Sequence, residues 1–563
     1  MAGARWHSNR GNSRRRRLLT RAGPLGVVAI IAFALGVIAG TAPGRAERQL
    51  VTNYVKDWSR GDYAGMYSLL DSSTRHTTSL TQFEDAYRNT AATATLTSLR
   101  AIRVGSRSGD VIPVRTTITT RLFGTLDEYL RVPLTGSGSG AAVHFSPEVL
   151  FPGLLAGEQL ARHVTLPPRA DLLASDGTPL AQGAARTSPI PDVANQVVGK
   201  LAPIPAADAG TYLARGYPSD AEVGIDGLER IFQTRLAGTP GGTLLAGGRV
   251  LATATPVPGH AVRTTISPAI ERAAIAAMGS NYAGIAAMDP RTGAVLALAG
   301  AAFSAVQPPG STMKIITATA ALQANIVHLG DTFPIATSST IDGYTLQNAN
   351  GEACGGTFLN AFAVSCNSVF APLGAKLGAQ RLVSTAQRFG FDQPPLFPGA
   401  TESTIPSANT IGDGLAVGSS AIGQGMVQAS ALEMTDVAAT IAMGGRRPIP
   451  SLRAHQRPRF VRVTSHHVAG LVQRMMVAVV QFGTGTPAQI PGVEVAGKTG
   501  TAELRNTAGQ SNPADTDSWF VGYAPVGAPR IVVGALFPSA GAGAQTAAPA
   551  VQSVMVEALK VVK

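Results

Sequence analysis

Cysteine occurs only twice in the 563 residues of this chain, tryptophan three times, and charged side chains make up 14% of it. Two cysteines exclude a disulfide-dense small scaffold, and without partners at metal spacing they exclude a zinc site. The nine histidines show no ligand pattern either, so no metal is expected, and His466-His467 reads as a surface pair. The low charge comes with 63 Gly, 37 Pro and 45% apolar residues. That is the composition of a folded, Ala/Gly-rich chain and not of a disordered one. No long-period repeat or long low-complexity run is present. The chain is too long for one core, so three or four units are expected.

Lysine is also scarce. Only seven of the 46 basic residues are lysine, so arginine supplies the ordinary surface charge. Two of the seven, Lys314 and Lys498, fall in short motifs where an amine has a chemical use. Guanidinium does not release its proton in a protein, whereas a partly buried amine does. The first motif is Ser311-Thr312-Met313-Lys314. Ser365-Cys366-Asn367 follows 54 residues after Ser311, and Lys498-Thr499-Gly500 begins 133 residues after Ser365. Ser311 comes after Gln307-Pro308-Pro309-Gly310, a run that is not helical. It precedes a stretch to about Gln323 with helix formers and apolar residues at helical spacing. Ser311 is therefore expected to open a buried helix, with the helix's partial positive end beside it. Residues i and i+3 share a face, which puts the Lys314 amine next to the Ser311 hydroxyl as candidate general base.

The other two motifs supply the remaining groups such chemistry needs. Ser365 would relay a proton toward a leaving amine, and Asn367 would hydrogen-bond a substrate amide. Glu494 to Glu503 reads as a strand flanked by small residues. On it Lys498 and Thr499 would present a cation and a hydroxyl to a substrate carboxylate. Gly500 would let substrate backbone approach, and the N–H of Thr501 would complete an oxyanion hole with that of Ser311. Each motif alone is weak. Together, in this order, they resemble the signature of the serine acyltransferases that penicillin acylates.

The wider chain resembles a class B penicillin-binding protein, a peptidoglycan D,D-transpeptidase without a glycosyltransferase module. Thr264-Thr265-Ile266 and the run from Ala286 to Ala297 resemble the family's opening helix and first strand pair. Ala421-Ile422-Gly423-Gln424-Gly425 resembles its glycine-rich segment, and Ser518 to Pro525 its strand and turn after the third motif. One departure is Asp517-Ser518 before Trp519, where the family leads one to expect His or Asn followed by Ala. The resemblance implies an α/β catalytic domain with helices on both faces of an antiparallel sheet and no cofactor. It implies that Ser311 attacks the penultimate D-Ala of a stem peptide ending in D-Ala-D-Ala, and that a neighbouring stem peptide's amine resolves the acyl-enzyme. β-Lactams would acylate the same serine. A glycosyltransferase of the elongation or division machinery is the partner it implies.

Ahead of the catalytic part, residues 1–21 carry seven arginines and no acid, and residues 22–42 carry no charge. Such a run is long enough to span a bilayer, and arginines before it predict a cytoplasmic N-terminus and an extracytoplasmic catalytic domain. A cleaved signal peptide is the competing reading. Next to a spanning segment the basic tail is a topology signal and not a nucleic-acid arm. Residues 45–155 read as helices packed on a curved antiparallel sheet, with Trp58 in its core. They resemble the nuclear-transport-factor-like N-terminal domain of methicillin-resistance-type, low-affinity penicillin-binding proteins. Residues 156–262 resemble the family's mostly β pedestal, or dimerisation, region, with a Gly-turn hairpin around Asp176-Gly177. There Arg169 and Glu229 form either an ion pair or two solvated charges. Residues 263–563 are left for the transpeptidase domain. Cys354 and Cys366, 12 residues apart, are expected as a disulfide on the oxidising side, with two free buried thiols as the alternative. Two other functions share the motifs. A carboxypeptidase or β-lactamase would resolve the acyl-enzyme with water, but needs neither an anchor nor so long a non-catalytic region. A β-lactam sensor would carry a large cytoplasmic effector, and a pure scaffold need not retain all three motifs.

Overall fold

The computed structural model describes residues 44–503 and 515–562. The expected spanning segment, 22–42, lies outside them, and no helix among the described residues is long and apolar enough to cross a membrane. The chain forms two compact units. Among the described residues, one comprises 44–167 together with 206–219 and 239–257; the other comprises 168–205, 220–238, 258–503 and 515–562. The stretch 156–262 thus contributes to both.

In the first unit, helix α1 (Arg45–Arg60) buries Val51, Tyr54, Val55 and Trp58. Their i, i+3, i+4, i+7 spacing is one helical stripe. Helix α2 (Leu80–Ala94) starts at a capping box in which the Ser79 and Gln82 side chains each bond the other's backbone N–H. Its Tyr87 ring meets Trp58 edge-on at 5.0 Å, and its hydroxyl lies 2.6 Å from that of Tyr54. Below the helices β1 (Leu96–Val104), β2 (Val111–Thr120), β3 (Gly124–Thr135) and β4 (Ala142–Val143) form an antiparallel sheet in sequence order. Ile112 and Val114 of β2 and Leu130 and Val132 of β3 join the core that holds Trp58. Trp58 is 6% exposed and is a core residue. A second sheet orders β7 (Arg249–Ala254), β6 (Gly241–Ala246) and β5 (Leu160–Thr165).

The second unit begins with the short strands Leu172–Leu173 and Pro179–Ala181, paired around Gly177 at φ +94°, with Val262–Arg263 added in parallel. Short helices at Pro191–Val197, Gly227–Ile231 and Gln233–Ala237 share this region. The first opens on a proline, whose locked φ suits a helix start, and buries Val193, Ala194 and Val197 on one face. Arg169 and Glu229 are an ion pair and not solvated charges: Arg169 Nε donates to Glu229 Oε2 at 2.7 Å and Arg186 Nε to Oε1 at 2.8 Å. The Glu229 side chain is fully buried.

The part that carries the three motifs is built on a five-stranded antiparallel sheet ordered β9 (Ala294–Gly300), β8 (Gly284–Asp289), β12 (Ile531–Phe537), β11 (Thr516–Ala524), β10 (Ala496–Glu503). Strand β12 is buried at every position, and so reads as a continuous apolar run. Alternate residues face opposite cores. Ile285 and Ala287 join the core of α3 (Pro268–Met278) and α9 (Ala547–Val561), whereas Ala286 and Met288 join the core of the helices on the other face. These are α4 (Lys314–Gln323), α5 (Phe358–Ala363), α6 (Asn367–Leu377), α7 (Ala431–Ala442) and α8 (His466–Gln481). The expected α/β layering, with helices on both faces, is the observed one. Strand β10 is the last strand of the sheet, so the third motif has a strand neighbour on one side only.

Removing one partner from a buried ion cluster leaves the others uncompensated. Glu229→Gln is therefore expected to lower unfolding stability by about 3–5 kcal/mol, read in urea denaturation. A loss below about 1 kcal/mol would mean the two guanidiniums are already satisfied by solvent.

Candidate active site

Ser311 lies in a 3₁₀ turn, Gly310–Met313, that runs directly into α4. The expected helix start is thus one turn tighter than an α-helix at the serine itself. Gly310 adopts φ +51°, and its N–H donates to Gly423 O at 2.9 Å, so the turn leans on the glycine-rich segment. A Cβ at Gly310 would stand 2.7 Å from Thr501 O, which shows how closely β10 flanks the turn on its other side. At Gly500 a Cβ would stand 2.7 Å from both Pro309 O and Trp519 Cβ. The chain's own packing, before any substrate, requires glycine there.

Lys314 and Lys498 are both fully buried and converge on one hydroxyl. Lys314 Nζ donates to Ser365 O and to Asn367 Oδ1, each at 2.7 Å, and lies 3.3 Å from Ser365 Oγ. Lys498 Nζ donates to Ser365 Oγ at 2.9 Å and to Thr499 O at 3.1 Å. The Lys314 amine is therefore held by hydrogen bonds to the second motif. Each amine also sits near an aromatic ring, Phe370 for Lys314 at 5.5 Å and Phe362 for Lys498 at 5.6 Å. Burial holds the Lys314 amine well below the usual lysine range, and the nearby Lys498 pushes it the same way. Burial alone brings Lys498 down to about 7. A neutral amine has two N–H donors and one lone pair. With Ser365 O and Asn367 Oδ1 taking the donors of Lys314, its lone pair is left to accept a proton.

Ser365 itself is at φ +64°, in the left-handed region that non-glycine residues rarely adopt. Strain of this kind persists where the surroundings over-determine it. Here a disulfide joins Cys354 to Cys366, and Cys366 N donates to Ala361 O at 2.8 Å. The alternative of two free thiols does not hold. Asn367 opens α6, and its Nδ2 donates to Gln347 O at 3.3 Å. Thr499 is 5% exposed, and Thr501 Oγ1 accepts from Gly543 N at 3.3 Å. The three motifs, far apart in the chain, meet within hydrogen-bond distance at Ser365.

One contributor carried no signal in the sequence. Thr484, just past the end of α8, places its hydroxyl 2.6 Å from that of Thr499, and its N–H donates to Ala363 O at 3.1 Å. It ties the third motif to the helix that leads into the second. A threonine between two glycines after a helix looks like any polar turn, so only the fold reveals the contact.

Residues 283–556 match the penicillin-binding protein transpeptidase domain, and residues 165–264 match the penicillin-binding protein dimerisation domain. The chain is 31% identical over 364 residues to the peptidoglycan D,D-transpeptidase PbpA of Mycobacterium tuberculosis, covering 54% of this chain and 73% of that protein. It belongs to the class B penicillin-binding proteins. The crystal structure of PBPA from M. tuberculosis superposes with TM-score 0.55 at 27% identity, covering 70% of this chain and 98% of that one. The D,D-transpeptidase domain of a peptidoglycan glycosyltransferase from Eggerthella lenta gives TM-score 0.58 at 28% identity, covering 70% and 99%. An imipenem acyl-enzyme complex of the M. tuberculosis protein is a further structural relative, at 26% identity and TM-score 0.56. In this penicillin-binding protein Asp517, the departure noted in the sequence, is buried, and its Oδ1 accepts from Ser539 N at 2.9 Å.

A buried lysine depressed to about 7 binds fewer protons than its unfolded counterpart between about pH 7 and pH 10.5, so its penalty is fullest below pH 7 and fades as pH rises. Lys498→Met is accordingly expected to raise the melting temperature by a few degrees at pH 7, with the gain shrinking toward pH 10. The same substitution should lower the acylation rate of Ser311 by about 100-fold or more. Differential scanning calorimetry across pH and stopped-flow acylation check the two halves separately.

Proposed function

We propose that this chain is a peptidoglycan D,D-transpeptidase that cross-links stem peptides through an acyl-enzyme on Ser311, and that β-lactams acylate the same serine. The observation that carries this reading is the pair of buried amines on Ser365 Oγ, 3.3 Å from Lys314 and 2.9 Å from Lys498. Such an arrangement keeps one amine neutral at working pH, which a base for a serine hydroxyl requires. As the bond from Ser311 Oγ to the carbonyl carbon of the penultimate D-Ala forms, the hydroxyl proton passes to Lys314. The oxygen that gains charge is met by the N–H groups of Ser311 and Thr501. Ser365, fed by both amines, hands a proton to the departing nitrogen as the C–N bond breaks and D-Ala leaves. The amine of a second stem peptide then attacks the ester carbonyl and gives its proton back along the same path, restoring Ser311. Thr499, oriented by Thr484, and Lys498 serve the carboxylate end of the donor peptide. Asn367 uses the face not taken by Lys314.

The domain arrangement is part of the same proposal. Residues 1–21 form a cytoplasmic tail and 22–42 a single membrane anchor. Residues 45–563 are extracytoplasmic, divided at about 155 and 262 into N-terminal, pedestal and transpeptidase parts. Seven arginines before an uncharged run support that orientation. Helices packed on an antiparallel sheet around Trp58 support a nuclear-transport-factor-like N-terminal domain of the methicillin-resistance type. A membrane glycosyltransferase of the elongation or division machinery supplies the uncross-linked strands.

The deciding experiment is labelling with fluorescent penicillin, followed by mass spectrometry of the modified peptide. A stoichiometric adduct on Ser311 is expected, absent in Ser311→Ala, and an adduct on another residue overturns the assignment. Lys314→Arg should fail as badly as Lys314→Ala, by about 100-fold or more, because guanidinium does not act as a base. Near-normal acylation by the Arg variant would show that Lys314 supplies only positive charge.

A further inference from the structure

The positive charge of this chain is concentrated. Against a net charge of +12, residues 1–43 hold seven arginines and no acid, residues 437–493 hold seven more and no acid, and the remainder is net −2. Five of the second seven, Arg446, Arg453, Arg457, Arg459 and Arg462, are exposed and sit on one hairpin. Arg447 reaches Asp436 at 3.7 Å; the five have no carboxylate partner among the described residues. The hairpin strands Arg446–Pro448 and Phe460–Arg462 pair so that Arg446 stands directly opposite Arg462. Like charges in opposed positions destabilise a sheet. Arg446 finds only the Phe460 ring, 4.4 Å away.

The loop between these strands is pinned. Ser451 exchanges backbone hydrogen bonds with Gly293 and Val295, Thr265 N donates to Leu452 O, and Ala454 N donates to Arg263 O. Solvated arginines on a surface need neither a fixed backbone nor a repulsive register. A held array of unpaired guanidiniums is a preorganised anion surface.

We infer that the 446–462 hairpin is a docking surface for the peptidoglycan strand outside the cleft, recognised through the free carboxylates of its stem peptides. The inference rests on the proposed function, because it takes the polymer from it. Helix α8 begins beside the hairpin at His466 and ends next to Thr484, which touches Thr499. Its 16 residues span about 24 Å. A strand carrying several stem peptides covers a span of that size. Guanidinium forks match carboxylates bidentately, and the net-acidic remainder of the chain does not compete for the same ligand.

The test uses the full chain, cosedimented with purified sacculi stripped of phosphate-containing polymers, and with unstripped sacculi and anionic phospholipid vesicles as separate arms. The triple variant Arg453→Gln/Arg457→Gln/Arg459→Gln is expected to bind stripped sacculi about tenfold more weakly, while penicillin acylation of Ser311 stays within about twofold. Wild-type binding should weaken as salt is raised. Equal binding by the triple variant and the wild type overturns the inference. So does wild-type binding confined to phosphate polymers or to vesicles. Arg446→Gln should raise the melting temperature, and a lowered one removes the repulsive pair from the argument. Failure of penicillin to label the wild type counts against the proposed function, whatever the sacculi show.

Discussion

Two amines share one hydroxyl, and that sharing is the constraint on which the rest of the site depends. Lys314 and Lys498 each bring a potential positive charge into a place that water does not reach, within hydrogen-bond distance of Ser365 Oγ. Two buried ammonium groups so close are costly by desolvation and by mutual repulsion. The low-cost state is one in which at least one is neutral, and a neutral amine is a base. The catalytic property is thus a consequence of burial, and burial is a property of the fold.

Everything around the pair serves to keep it buried and aligned. The sheet provides β10 as a rigid edge for Lys498, and α4 and α6 bring Lys314 and Asn367 to the same point. The disulfide and the left-handed Ser365 hold the connection between α5 and α6 in a shape that a free loop would leave. Phe362 and Phe370 exclude water and still offer their ring faces to the cations. Such a site reduces stability locally in exchange for reactivity, the trade common to active sites. The compensation lies in two apolar cores, one on each face of the five-stranded sheet.

Outside the cleft, charge is handled in two opposite ways. Around Glu229 two arginines are drawn inward to share one buried carboxylate. On the 446–462 hairpin arginines are left outside without carboxylates and two are set face to face. The first arrangement locks a segment in place; the second leaves a surface with unsatisfied attraction for anions. The same side chain serves both because guanidinium stays charged in either setting.

Much of this was legible in the residue order. The triplet of motifs, the lysines kept where an amine is needed, and the helices and strands expected around Trp58 are local patterns. Local patterns are written by covalent spacing, so the identity of the reactive groups could be read directly, whereas the layered α/β catalytic domain followed from the family resemblance. The helical start at Ser311 was placed to within a turn, because a 3₁₀ turn and an α-helix share the same opening signals. The short helices that share the pedestal with its strands are only five to seven residues long and carry too little periodicity to register in the sequence. Helical spacing aimed Lys314 at Ser311, but the amine is held by Ser365 and Asn367, partners 51 and 53 residues away. Gly500 answers to Pro309 and Trp519, and Thr484 to Thr499, contacts across separate elements. Sequence by itself determined which groups are present and on which element each rides. The tertiary structure decided which of them touch and which lose water, and with that the protonation of the two lysines, because desolvation and hydrogen-bond partnering exist only once distant segments close around the same point.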